Sequence, residues 1–222
     1  MTDVAQRLPL RTKLTYGFGS VAYGIKDNGF ATFLLFYYNQ VVGMRADLVS
    51  LAIALALIAD AFIDPMVGHW SDKTRTKIGR RHPWLYAAVI PIAITWVLLW
   101  HPPVMSELQT FAYLFFVAMF VRMAFSTYEV PSLALLPELS RDYHDRTAIM
   151  RYRFLFGWGG GLAIMFLAYA ILLVPTDEYA NGQLNAEGYS QYAILGAGVM
   201  VIAALSAAIG TQKRIVKQYQ GN

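Results

Sequence analysis

Asp60 and Asp64 stand four residues apart, about one helical turn, so a helix carrying them sets both carboxylates on one face. Two like charges that close invite a bound cation or a shared proton. Pro65 removes the amide that would bond the carbonyl of Ala61, and Pro131 does the same to Thr127 beside Glu129. Carbonyls freed next to carboxylates are further oxygen ligands for a cation. Arg122, Ser126 and Glu129 put base, hydroxyl and acid along one helical face. Lys26, Asp27 and Asn28 offer donors and acceptors within one turn, a cluster suited to several hydroxyls of a polar solute. Two chemistries are open for each acid: a site for a cation or polar solute, or a structural ion pair with Lys26, Arg122 or Arg153.

These residues lie in apolar surroundings. Of 222 residues, 57% are apolar and 14% charged, against roughly 25% charged in an ordinary soluble domain. Residues 83–106, 154–176 and 188–212 contain no Asp, Glu, Lys or Arg, and a membrane crossing needs about 20 predominantly apolar residues. Runs 15–40, 48–70 and 109–131 are as long but are interrupted by Lys26, Asp27, Asp60, Asp64, Arg122 and Glu129. The pattern predicts an all-α membrane bundle of six spans near 15–40, 48–70, 83–102, 109–131, 154–174 and 191–211, in one domain covering 1–222. A charge at mid-membrane depth costs about 2.5–3.5 kcal/mol on insertion scales, so each interrupting residue belongs at a bundle interior or a polar path.

Fourteen of the 18 Lys and Arg fall before the first span, between the second and third, between the fourth and fifth, and after the sixth. Only Arg45 lies between spans on the other side; Lys26, Arg122 and Arg153 lie within or at the edge of spans. Positive charge marks the cytoplasmic face, which predicts a multi-pass plasma membrane protein with both termini in the cytoplasm. It also explains the net charge of +4 without nucleic acid. Gly157 and Gly161 form a small-xxx-small pair that lets a neighbouring helix approach closely. With no Cys, no GxSxG elbow, no phosphate loop, and no metal-ligand spacing among His69, His82, His101 and His144, an enzyme is disfavoured.

The segment Gly68-His-Trp-Ser-Asp72-Lys-Thr-Arg75-Thr-Lys-Ile-Gly79-Arg80-Arg81 resembles the cytoplasmic signature loop of the major facilitator superfamily. The longer stretch Asp60-Ala-Phe-Ile-Asp64-Pro65-Met-Val-Gly68, with Arg80-Arg81-His82-Pro83-Trp84, resembles the glycoside-pentoside-hexuronide:cation symporters. The likeness continues through Lys13-Leu-Thr-Tyr16-Gly17-Phe-Gly19, Tyr128-Glu129-Val-Pro131 and Leu136-Pro137, nearly the whole chain. It implies one six-span half of the major facilitator fold and symport of a sugar or glycoside with a coupling ion, proton or sodium, and no other cofactor. By the same resemblance, Asp60, Asp64, Ser126 and Glu129 serve the cation, and Glu129 and Arg153 serve the sugar. Asp72, Arg75, Arg80 and Arg81 face Glu138, Asp142, Asp145 and Arg146, pairs that latch the inner gate in relatives.

Three departures qualify this. Ile63 replaces an asparagine and removes an oxygen ligand, which favours a proton over sodium. Leu133 stands where the family has a sugar-stacking tryptophan, so galactoside specificity is not inherited. The first-span Lys-Asp pair of the family falls at Tyr23 and Gly24, and Lys26-Asp27, three residues later, is expected to substitute in a displaced sugar pocket. The family has two six-span halves with substrate at their interface, so the expected partners are substrate, membrane lipid and a second half: a C-terminal half, a second chain or another copy. A truncated non-transporting fragment, and a polar-lipid or other non-sugar transporter of the same superfamily, are the alternatives.

Overall fold

The computed structural model describes residues 8–220. Among them no strand occurs. The first segment is α1 (Leu10–Phe18), α2 (Ser20–Asn28), a π-helical turn (Gly29–Phe33), α3 (Leu34–Phe36) and a second π-helical turn (Tyr37–Val41). Then follow α4 (Ala46–Lys73), α5 (His82–Leu99), α6 (Glu107–Leu139), α7 (Tyr143–Leu167) continued by a π turn to Leu172, and α8 (Ala186–Gln220) after a short 3-10 turn. Five helices, within α4 to α8, are long and apolar enough to cross a membrane. The first segment is helical from residue 10 to 41 except for one turn residue, Gly19. At 1.5 Å per residue it rises about 48 Å, more than the roughly 30 Å of a hydrocarbon core.

Local signals set the helix starts. Ser106 and Gln109 form a capping box at α6, and the Asp142 carboxylate accepts the Asp145 amide at 2.8 Å to start α7. Four prolines, Pro65, Pro91, Pro131 and Pro137, lie inside helices, where neighbouring helices shield the freed backbone groups.

The helices form an array in which α6 lies between α4 and α5, α5 meets α8, α8 meets α1 and α2, and those two meet α7. The α2/α7 contact is backbone to backbone. A Cβ on Gly161 would lie 2.6 Å from the Gly24 carbonyl oxygen, and one on Gly24 would lie 2.7 Å from the Gly157 carbonyl carbon. The close approach expected of Gly157 and Gly161 is thus made to Gly24.

Two clusters fill the interior. The larger is aromatic toward the ends of α5 and of the first segment: Trp100 stacks on Tyr189 with ring centres 5.8 Å apart, and the Tyr37 and Tyr38 hydroxyls donate to the carbonyls of Trp100 and Leu99, each at 2.9 Å. The smaller joins Leu8, Tyr16, Leu135, Leu139, Ile149 and Ile215. Because it contains residues from both ends of the described chain, those ends share one end of the bundle, together with the α4/α5 and α6/α7 connections. This is the end that carries the clustered Lys and Arg.

Candidate functional site

The polar residues of α2, α6 and α7 surround a cleft of about 490 Å³, within the usual range for a small-molecule site. Its walls include Tyr23, Asp27 and Asn28 from α2, Glu129 and Leu133 from α6, and Met150, Arg153, Phe154 and Trp158 from α7. Helical spacing explains the α7 wall: 150, 154 and 158 are successive turns of one face, and 153 and 157 lie beside them.

Of the residues expected to hold a substrate, Asp27, Glu129 and Arg153 line this cleft. Lys26 does not line it; buried, it reaches Asp27 at 2.8 Å and lies 4.3 Å above the Tyr23 ring, positioning the acid that does. Arg153, also buried, pairs through Nη2 with Glu129 Oε1 and donates from Nη1 to Ser132 Oγ at 2.9 Å. The Tyr16 hydroxyl donates to the Ser132 carbonyl, and the Arg153 guanidinium lies 5.2 Å from the Tyr16 ring centre. Tyr16 and Ser132 are site residues that sequence reasoning missed. The available signal for Ser132 was its place one turn after Glu129 on the same face; nothing local marks Tyr16. The second Glu129 oxygen, Oε2, is buried with no partner.

The residues expected to hold a cation are divided. Asp60 is set against Arg122, Nε to Oδ2 at 2.7 Å, between α4 and α6, and its other oxygen is enclosed without a partner. Asp64, one turn further along α4, is exposed and makes no ion pair among the described residues. Ser126 is buried on α6. Of this set only Glu129 lines the cleft. The structural ion pair considered for these acids is therefore what three of them have: Asp27 with Lys26, Asp60 with Arg122, Glu129 with Arg153.

At the basic end, Arg81 pairs with Asp72, donates to Ser71 Oγ at 2.7 Å and lies 3.6 Å from Glu138, while Arg80 donates to Glu138 at 2.9 Å. Asp72, Arg80, Arg81 and Glu138 of the expected gate are thus brought together. Arg75 and Arg146 make no ion pair among the described residues. Asp145 instead ties the chain start to α7, accepting from Lys13 Nζ at 2.6 Å and from the Leu8 amide at 2.8 Å.

Residues 15–221 match the family described as MFS/sugar transport protein. An uncharacterized symporter of Synechocystis sp. is 34% identical over 189 residues, covering 82% of this chain and 35% of that protein. The isoprimeverose transporter of Lactiplantibacillus pentosus is 26% identical, covering 94% of this chain and 43% of that protein. The sodium-dependent lysophosphatidylcholine symporter 1 of Gallus gallus is 30% identical, covering 67% of this chain and 28% of that protein. The chain spans less than half the length of each of these relatives.

Proposed function

Because the chain belongs to the MFS/sugar transport protein family, a family of transporters and not of enzymes, we propose that it forms one half of a symporter that moves a sugar or glycoside with a coupling ion, a proton in preference to sodium. The cleft carries this reading: it sets Asp27, Glu129 and Arg153 beside the exposed rings of Phe154 and Trp158. Carboxylate oxygens accept from sugar hydroxyls, a guanidinium donates to them, and an aromatic face covers the apolar C–H face of a pyranose. Trp158, 67% exposed, supplies the ring that Leu133 lacks, from the neighbouring helix instead of α6.

Three helices of this chain line the cleft, and its remaining wall is proposed to come from a second half. A second half, whether a C-terminal half, a second chain or another copy, supplies the opposite wall and the alternating access. Membrane lipid surrounds the rest. The plasma membrane with both termini in the cytoplasm is the proposed placement, supported by the shared position of the chain ends and of the basic clusters. Asp72, Arg80, Arg81 and Glu138 are proposed as this half's share of the inner gate.

A second reading, transport of a polar lipid, has its own observation: Met150, Phe154, Trp158 and Leu133 make much of the cleft apolar, and one relative is named a lysophosphatidylcholine symporter. Proteoliposomes containing the chain, alone and with a C-terminal half, distinguish the readings when offered labelled glycosides and lysophosphatidylcholine under a proton or sodium gradient. Gradient-driven glycoside uptake that falls at least tenfold in Glu129→Gln is the expected result. Uptake of lysolipid alone favours the second reading, and no uptake with either partner overturns both and leaves a non-transporting fragment.

A further inference from the structure

The acids and bases inside the membrane-crossing part of the bundle do not balance. Lys26, Arg122 and Arg153 face Asp27, Asp60 and Glu129 one to one, and Asp64 is left over. The three pairs are not equivalent. Lys26 and Asp27 are neighbours on α2, and Glu129 and Arg153 line the cleft. The Arg122–Asp60 pair lies outside the cleft, joins α6 to α4, and has side chains only 11% and 22% exposed. The Phe30 ring lies 5.4 Å from the guanidinium carbon and limits where that group can turn.

Two carboxylates one turn apart make a cation site only while the space between and beside them is free of positive charge. Here it is not. We infer that Arg122 is a resident cation at Asp60: its guanidinium takes the place beside Asp60 that a sodium ion shared with Asp64 would need, so the chain excludes sodium there and the negative charge of Asp64, exposed one turn away, remains. The inference deepens the cation-coupled reading and rests on it. Arg122 is in this sense an ion-selectivity residue, one that acts by occupancy.

The test reads sodium binding and not transport, so its failure is distinct from failure of the symport reading. The purified chain is melted in detergent micelles with sodium chloride or choline chloride at equal ionic strength. The wild type is expected to melt at the same temperature in both. Arg122→Gln, with helicity unchanged, is expected to gain a saturable sodium-dependent rise of about 3–6 °C at sodium tenfold above its dissociation constant. That gain disappears in Arg122→Gln/Asp64→Asn. Sodium stabilisation of the wild type, or a folded Arg122→Gln that ignores sodium, overturns the proposal. If Arg122→Gln does not fold, Arg122→Lys replaces it: with the charge retained it is expected to ignore sodium, and stabilisation by sodium overturns the assignment.

Discussion

The same chemistry, a base against an acid, is used at three depths in this molecule and does different things at each. In the membrane-crossing part each base has one acid, and both interhelical pairs leave a carboxylate oxygen enclosed and unpartnered, Asp60 Oδ1 and Glu129 Oε2. At the end that gathers the chain termini, Arg81 is shared among Asp72, Ser71 and Glu138, and Arg80 adds to Glu138. On the opposite side Arg45 meets Asp47 at 2.6 Å with both side chains more than 60% exposed. Depth decides what such a contact is worth, because water that would screen and replace it is progressively withdrawn. The deep pairs have spare acceptor capacity and no spare partner, a condition suited to binding something. The basic-end cluster also leaves Glu138 Oε2 enclosed without a partner, but Arg80 and Arg81 both reach that carboxylate, a redundancy suited to holding.

The largest effect is expected where a charge is stranded. Arg153→Ala leaves Glu129 enclosed without its base and is expected to destabilise the chain by about 3 kcal/mol, most of it recovered in Arg153→Ala/Glu129→Ala. Denaturant titration of the two single variants and the double variant checks this; additive losses would show that the pair is not coupled and break the comparison. An intermediate effect is expected at the basic end. Arg81→Ala is expected to cost about 1–2 kcal/mol, since Asp72, 58% exposed, keeps access to water and Arg80 still reaches Glu138, and to cost less as salt is raised. A salt-independent loss equal to that of Arg153→Ala would erase the distinction between the two depths. The smallest effect is at the outer pair: Arg45→Ala is expected to leave the melting temperature unchanged at physiological salt, and a clear fall would show that exposure does not rank these contacts.

How far the sequence revealed this arrangement depends on the range of each interaction. Each charge-free run marks a helix, because length and hydropathy are local properties: 188–212 lies inside α8, 83–106 covers α5 and the coil after it, and 154–176 covers the end of α7, its π turn and the coil that follows. The π turns at Gly29–Phe33, Tyr37–Val41 and Ala168–Leu172 were not legible, since a one-residue change of turn leaves the hydropathy pattern almost unaltered. The carboxylates stood out because they interrupt apolar runs. Which base each would meet was open, because Arg122 reaches Asp60 and Arg153 reaches Glu129 across helix interfaces. Ser132 lay one turn from a recognised acid, whereas Tyr16 meets it across 116 residues, a contact no local spacing announces. Gly157 and Gly161 were readable as a place of close approach. Gly24, their partner, stood out only as a position where the family's first-span Lys-Asp pair is missing.

That glycine contact bears on how the cleft is shaped. Helices whose backbones touch have no side chains between them to rotate aside, so the contact of α2 with α7 holds the Asp27 wall directly against the wall of Arg153 and Trp158. On the proposed reading, a solute in this cleft would meet a preset template on one side, and the travel that admits, encloses and releases it would fall to the second half.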